Sequence, residues 1–239
     1  MQSNYPHKSS IGEILKRAYF YWLSTILYQV LFSILSLSIL VTSFIVFGEK
    51  YGILNHYMGL SEKLKEGFDA YEMGIKEMIL SPGFMTFYWI MIATFVFIFP
   101  LNLGLYKMYR GIDLGIKPRL QDLFAGYEGV NFFIYTGFYL FWLLIYLYTV
   151  PTGIFAIVWV LLTLFTAPLM FFMDKRIFQT IPLNFKALKH YPLEIISACI
   201  VAFLFKYLGI FTVIGAIFTY PFWTAMIYSL YQRIFTENN

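Results

Sequence analysis

The chain has 239 residues, of which 60% are hydrophobic, 22% are aromatic and only 13% are charged, and its net charge is +4. Soluble domains carry about a quarter charged residues, so this composition excludes an ordinary soluble domain, and the small positive excess gives no reason to expect nucleic acid as a partner. Charged residues are absent from four long stretches: 18–48, 78–106, 129–173 and 207–232. A membrane-spanning helix needs roughly 20 apolar residues. The sequence therefore predicts one all-α domain over 1–239, a polytopic helix bundle with membrane lipid as its first partner.

The chain starts with an amphipathic stretch, "EILKRAYFYW" (13–22), which runs into the first predicted span, 18–47. That span is longer than the core of a signal peptide, which has about 7 to 15 apolar residues, so we expect it to be retained. Four polar residues recur on one of its helical faces: Gln29, Ser33, Ser36 and Ser43. Such a face is typical of helix–helix contact in membranes, and a lining for a polar substrate is the alternative.

The segment between the first two spans, 48–82, contains six acidic residues and four lysines. Its apolar side chains recur at steps of three and four residues: Leu60, Leu64, Phe68, Tyr71, Ile75 and Met78. This pattern predicts a single amphipathic helix that begins near Ser61 and stops at "SPG" (81–83). An acidic helix is poorly suited to anionic lipid headgroups, so we expect it either to cap the bundle or to bind another protein.

Five further spans are predicted, which makes six in three hairpins: 83–106, 130–148, 154–173, 195–207 and 210–232. The long central run is divided at "YTVPTG" (148–153), because proline and glycine together signal a turn. Twelve of the 17 lysines and arginines then fall on the side of the two termini, and five fall on the other side. The positive-inside bias predicts that both termini are cytoplasmic.

A proline interrupts the second helix of each hairpin, and basic residues follow it. The three are Pro100 in "FIFPLNLGLYKMYR", Pro168 in "TAPLMFFMDKR" and Pro221 in "TYPFWTAMIYSLYQR". Proline lacks a backbone donor and breaks the bond to the carbonyl four residues earlier. The kinks either improve packing or form a ring of bent helices around a cavity, and Asn102, deep in a span, fits both interpretations.

Each hairpin is preceded by an amphipathic stretch with a leucine followed by an aromatic residue. After 13–22 the others are "QDLFAGYEGV" (121–130) and "FKALKHYPLE" (185–194). The pattern predicts a threefold internal repeat, with a cytoplasmic interfacial helix, an outward span and an inward span with proline in each unit.

Two segments resemble a bacterial family of six-span membrane proteins of unknown function. They are "LGLYKMYRGIDLGIKPRLQDLFAGYEG" (103–129) and "LGIFTVIGAIFTYPFWTAMIYSLYQR" (208–233). The second is also similar to the membrane domain fused to some glycerophosphodiester phosphodiesterases. The resemblance implies a multi-pass protein of a bacterial inner membrane, without catalytic residues to transfer, and it makes 48–82 an elaboration on the family's pattern.

Residues with catalytic or metal-binding chemistry are few. The predicted topology places His56 on the opposite side from His7 and His190, so the three cannot share a metal. Cys199 lies in "SACIVAF" without a nearby base, which favours packing as a small apolar residue. Lys206 lies late in the fifth span, where it can snorkel to the outer surface. The sequence has no HExxH, GxSxG or glycine-rich phosphate motif, so we expect no catalytic, cofactor or metal site.

These observations favour a non-enzymatic membrane protein that acts as a partner, scaffold or membrane-homeostasis component. Its candidate partners are other membrane proteins or a second copy of the chain. The alternative is a passive or gated transporter of a lipid or hydrophobic solute, with the kinked helices around its path.

Overall fold

The computed structural model describes residues 11–237, with the backbone alone for Ile210 and Val213. All of the regular structure in this range is helical, which confirms the predicted all-α class. The α-helices are α1 (Ile11–Ser24), α2 (Ile26–Lys50), α3 (Ile53–Glu66), α4 (Phe68–Leu80), α5 (Phe84–Ile98), α6 (Leu101–Asp113), α7 (Val130–Thr149), α8 (Ile154–Thr163), α9 (Thr166–Met173), α10 (Ile177–His190), α11 (Pro192–Ile210), α12 (Val213–Thr219) and α13 (Phe222–Tyr231). A 3-10 helix (Leu120–Tyr127) follows α6, a short 3-10 turn (Val150–Thr152) follows α7, and a π turn (Gln232–Thr236) follows α13.

Five helical segments of the described chain are long and apolar enough to cross a membrane: Ile26–Lys50, Phe84–Asp113, Val130–Thr152, Ile154–Met173 and Pro192–Gly209. They indicate a membrane protein. The region of the sixth predicted span, 210–232, contains two shorter helices instead, α12 and α13, which are separated at Tyr220 and Pro221.

The start of the first predicted span is wrong. The prediction began it at Ala18, but α1 ends at Ser24 and α2 begins at Ile26. Between them the Thr25 hydroxyl donates a hydrogen bond to the Tyr21 carbonyl, at 2.8 Å. The backbone bonds from Thr25 to Tyr21 and from Gln29 to Thr25 are kept, at 3.2 and 3.0 Å. A threonine hydroxyl that bonds back to the carbonyl four residues earlier bends a helix, and α1 ends at this point.

The chain divides into two units, the first of which comprises residues 1–34 and 100–239. Its core lies where α6 and α13 pack together, and the side chains of Leu103, Tyr109, Tyr228 and Leu230 there have no solvent exposure. Helix α1 packs on α13 through a buried stripe at helical spacing, formed by Ile14, Ala18 and Tyr21.

The second unit, Leu35–Phe99, contains the outer segment. The prediction of one amphipathic helix there is wrong, because Gly67 separates α3 from α4. Gly67 has φ 135° and ψ 168°, a conformation that side chains on other residues disfavour. The two helices are joined by an ion pair between Lys63 and Glu77, and we call them the outer hairpin after the side of the membrane that the sequence predicts for them. The hydrogen bond from Lys63 holds the pKa of Glu77 below its usual value.

Candidate functional site: three helix breaks and a shared carboxylate

The three helical segments that contain Pro100, Pro168 and Pro221 are each interrupted. Pro100 directly precedes α6, and Pro221 directly precedes α13. Pro168 lies at the third position of α9, in the first turn, where a missing backbone donor costs little; the interruption there falls at Leu164 and Phe165. We call these three places the helix breaks.

The break at Pro100 lies against the 3-10 helix. A Cβ atom added to Gly126 would come within 2.3 Å of the Pro100 carbonyl oxygen, and one added to Gly104 would come within 2.1 Å of the Leu123 oxygen. Both distances are far below van der Waals contact, so the two backbones touch directly. Only glycine at 104 and 126 allows so close an approach.

The break between α8 and α9 is occupied by a buried amide. Asn184 of α10, whose side chain is 1% exposed, accepts a hydrogen bond from the Phe165 N–H at 2.8 Å. Its Nδ2 donates to the Thr180 carbonyl at 2.8 Å, and the hydroxyls of Thr166 and Thr180 lie 2.9 Å apart. A helix end inside a bundle must satisfy its free backbone groups, and Asn184 does so for Phe165.

The break at Pro221 is engaged by α1. Trp22 donates its indole Nε1–H to the carbonyl of Phe218, at 2.9 Å. The indole ring also packs edge-on against Phe205 and Phe222, with centroids 5.7 and 6.1 Å away. The carbonyl that accepts this bond lies in the last turn before the proline, where the helical ladder is incomplete.

Asn102, which the sequence singled out, connects two of these helices. Its Oδ1 accepts a hydrogen bond from the Thr224 hydroxyl at 3.2 Å. Asn102 follows Pro100 by two residues and Thr224 follows Pro221 by three, so the first and third breaks lie at the same level of the bundle. The break between α8 and α9, near Pro168, is contacted instead by Asn184 of α10.

Asp113, the last residue of α6, receives three side-chain hydrogen bonds. Its Oδ1 accepts from the Tyr21 hydroxyl at 2.5 Å, and its Oδ2 accepts from the Tyr228 hydroxyl at 2.6 Å and from the Gln232 amide at 2.9 Å. Helices α1, α6 and α13, together with the π turn, therefore meet at one carboxylate. The sequence analysis does not identify this carboxylate; the signal for it is a single acid just after the cationic end of a span.

Aromatic rings fill the space beside Asp113. The Tyr228 ring is at the centre, with centroid distances of 5.1 Å to Tyr21, 5.5 Å to Tyr109 and 5.8 Å to Phe172. Aromatic pairs at 4.5–7 Å attract beyond the area that they bury. The inner helices α6, α9 and α13 thus pack on a common aromatic centre.

The polar face predicted on α2 is largely buried: Gln29 and Ser33 are 0% exposed and Ser36 is 2% exposed, whereas Ser43 is half-buried. The Gln29 amide donates to the Tyr109 hydroxyl at 3.2 Å, so this part of the face makes a helix–helix contact. Three oxygens on it, one each from Gln29, Ser33 and Ser36, have no hydrogen-bond partner within residues 11–237.

The predicted face of the outer segment is divided between the two helices of the outer hairpin. Leu60 is buried, and Tyr71, Ile75 and Met78 are half-buried. Leu64 and Phe68, on either side of Gly67, are 55% and 72% exposed. The apolar side chains at the turn of the hairpin therefore point into the surroundings.

The other ionisable residues singled out from the sequence lie apart. His56 belongs to α3, and His190 ends α10 with its Nδ1 2.8 Å from the Lys186 carbonyl; His7 lies outside the described residues, as does Lys8. Cys199 is half-buried in α11, and the Lys206 ammonium lies 4.9 Å from the centre of the Tyr220 ring. Within residues 11–237 no three His, Cys, Asp or Glu side chains are grouped as metal ligands.

Comparisons with protein-family models, curated proteins and solved structures gave no match for this chain. The resemblance of 103–129 and 208–233 to a six-span family therefore stays a prediction.

Proposed function

We propose that this chain is a non-enzymatic, six-span protein of a bacterial inner membrane that holds a partner protein through its outer hairpin. The three hairpins would place both termini in the cytoplasm and the segment 48–82 outside. Another membrane protein or a second copy of the chain would bind at the turn of the outer hairpin.

The observation that carries the proposal is the exposure of Leu64 and Phe68 on a segment rich in charge. Each buried Å² of apolar surface contributes about 25 cal/mol, so two large exposed apolar side chains favour association. Adjacent large apolar side chains on a water-facing segment commonly mark interaction sites. Their acidic neighbours, Glu66 and Asp69, disfavour anionic headgroups as the alternative contact.

The closely packed interior of the first unit favours a scaffold function over a transport function. Tyr109 and Tyr228 have no solvent exposure, and the helix breaks are contacted by the chain's own residues. Such an interior favours a rigid body that presents its surface to others.

Photo-crosslinking in living cells tests the proposal. A photoreactive residue at Phe68 should give one dominant crosslinked product. In a chain without the photoreactive residue, the protein captured in that product should co-purify in gentle detergent, and the double substitution Leu64→Ser and Phe68→Ser should remove it. Ile116, which is 56% exposed in a polar loop outside the outer hairpin, is the matched control position and should not give that product. Crosslinks from Phe68 to lipid alone would contradict the proposal.

Transport of a lipid or hydrophobic solute is the second candidate. The buried, unpartnered oxygens of Gln29 and Ser33 and the amide of Asn102 beside a helix break favour it, because polar groups within a bilayer often mark substrate paths. Reconstituted vesicles with a fluorescent phospholipid in one leaflet separate the two functions. Transport predicts that the protein speeds lipid exchange between leaflets and that Asn102→Leu abolishes the effect; the scaffold proposal predicts the exchange rate of empty vesicles for both proteins.

A further inference from the structure

We infer that, within the first unit, the interfacial segment of each predicted repeat contacts the helix break of the repeat before it, so that the three contacts form a closed cycle. We call each contact a seal and the closed cycle the ring. The three segments are α1, the 3-10 helix and α10, and each begins one repeat. The inference rests on contacts within the first unit and is independent of the proposed partner function.

The seals follow one another in cyclic order. The 3-10 helix, which begins the second repeat, lies on Pro100 of the first through Gly126. Helix α10, which begins the third repeat, binds Phe165 of the second through Asn184. Helix α1, which begins the first repeat, binds Phe218 of the third through Trp22.

The contact made by α1 distinguishes a ring from a row. In a row of repeats each unit touches only its neighbours along the chain, so α1 would have no break to seal and the break at Pro221 would stay open. Helix α1 instead lies along α13, where the Ser229 hydroxyl donates to the Ile14 carbonyl at 2.8 Å. An ion pair between Arg17 and Glu237 extends the same contact.

The membrane gives this closure a physical reason. Backbone groups that lose their helical partners within a bilayer cost several kcal/mol unless another group satisfies them. An asparagine amide accepts from the Phe165 N–H and an indole N–H donates to the Phe218 carbonyl, whereas at Pro100 the backbone of Gly126 packs directly on the break. Because the three contacts differ in chemistry, the repeat is weak in the sequence although each contact falls at a helix break.

Hydrogen exchange of the full chain in lipid nanodiscs tests the ring. The variants are Gly126→Ala, Asn184→Ser and Trp22→Phe, which remove one seal each. Loss of one such contact should speed local exchange by roughly fivefold or more. The ring predicts faster exchange in pairs from different repeats: the 3-10 helix with α6, α10 with α9, and α1 with α13.

Two control variants match these changes. Trp142→Phe also removes an indole hydrogen bond, to the Thr163 hydroxyl at 2.7 Å, but Thr163 keeps its bond to the Trp159 carbonyl at 2.6 Å. Gly137→Ala adds a Cβ where no atom lies within 4 Å. Both controls should leave α1, α10 and the 3-10 helix unchanged.

The decisive variant is Trp22→Phe, because only a ring couples α1 to α13. Faster exchange confined to α1 and α2 would overturn the inference, and so would unchanged exchange everywhere. If Asn184→Ser does not fold, the paired pattern of the other two variants decides the outcome.

Discussion

Asp113 shows how one residue organises several helices. Three donors from α1, α13 and the π turn converge on its carboxylate, and hydrogen bonds to a charged acceptor are stronger than neutral ones. Four other residues at such junctions act through contacts with the backbone of another segment: Gly104, Gly126, Asn184 and Trp22. These residues fix how the helices of the first unit pack together.

The substitution Asp113→Asn tests this role. An amide offers one acceptor oxygen in place of two and adds donors opposite the Gln232 amide, so the free energy of unfolding should fall by about 1 kcal/mol. Thermal denaturation in mild detergent measures the effect. Glu128→Gln, at an exposed carboxylate, is the control and should leave the Tm unchanged; equal Tm values for all three proteins would contradict the role of Asp113.

At the scale of elements, the outer hairpin depends on the conformation of Gly67. Alanine at 67 would have to adopt φ 135°, a region that costs a non-glycine residue of order 1–3 kcal/mol. We therefore expect Gly67→Ala to open the outer hairpin and to raise protease sensitivity in 53–80. Gly59→Ala, inside α3 with no atom within 4 Å of the added Cβ, should leave cleavage unchanged or slow it, since alanine favours helix. Equal cleavage of the two variants would count against the assigned turn.

We expect the contact between α1 and Glu237 to depend on pH. Partial burial acts to raise the pKa of Glu237, but hydrogen bonds from Arg17 and Arg233 outweigh it and hold the pKa below its usual value. A carboxyl whose folded pKa is lowered stabilises the protein above its unfolded pKa of about 4.3, and the contribution is lost as the pH falls through the folded value.

Glu237→Gln should therefore be less stable than the parent chain at pH 7 and equally stable near pH 3. Thermal denaturation across this range measures the difference, which high salt should also reduce because the pair is partly exposed. Glu128→Gln serves as the control, and its stability relative to the parent chain should not change between pH 7 and pH 3. A stability difference for Glu237→Gln that persists at pH 3 would show that the ion pair is not its source.

At the scale of the whole molecule, the sequence predicted the features that follow from apolar length. The all-α class and the bounds of the span 154–173 are confirmed, because charge-free stretches of that length have few alternatives in a bilayer. The start of the first span at Ala18 was wrong, since hydropathy does not register the division between α1 and α2 at Thr25. The single outer helix was wrong because its apolar periodicity continues across Gly67, whose backbone conformation the pattern does not encode.

The prolines illustrate the limit for the candidate site. Pro100, Pro168 and Pro221 indicate where helical bonds are lost, but not which groups replace them. Those groups lie in Trp22, Gly126 and Asn184. They are 196, 26 and 19 residues away along the chain from the residues that they contact, Phe218, Pro100 and Phe165, and only packing brings them to the breaks. Long-range contacts of this kind have no local signature in a single sequence.

The partner proposal depends most directly on the proposed orientation of the spans, and cysteine labelling measures that orientation. In a Cys199→Ser background, single cysteines replace Lys65 of the outer hairpin and Lys117 of the loop before the 3-10 helix, both exposed. An impermeant maleimide added to intact cells should label position 65 and should reach position 117 only after the membrane is opened. Labelling of both positions from the same side would contradict the account.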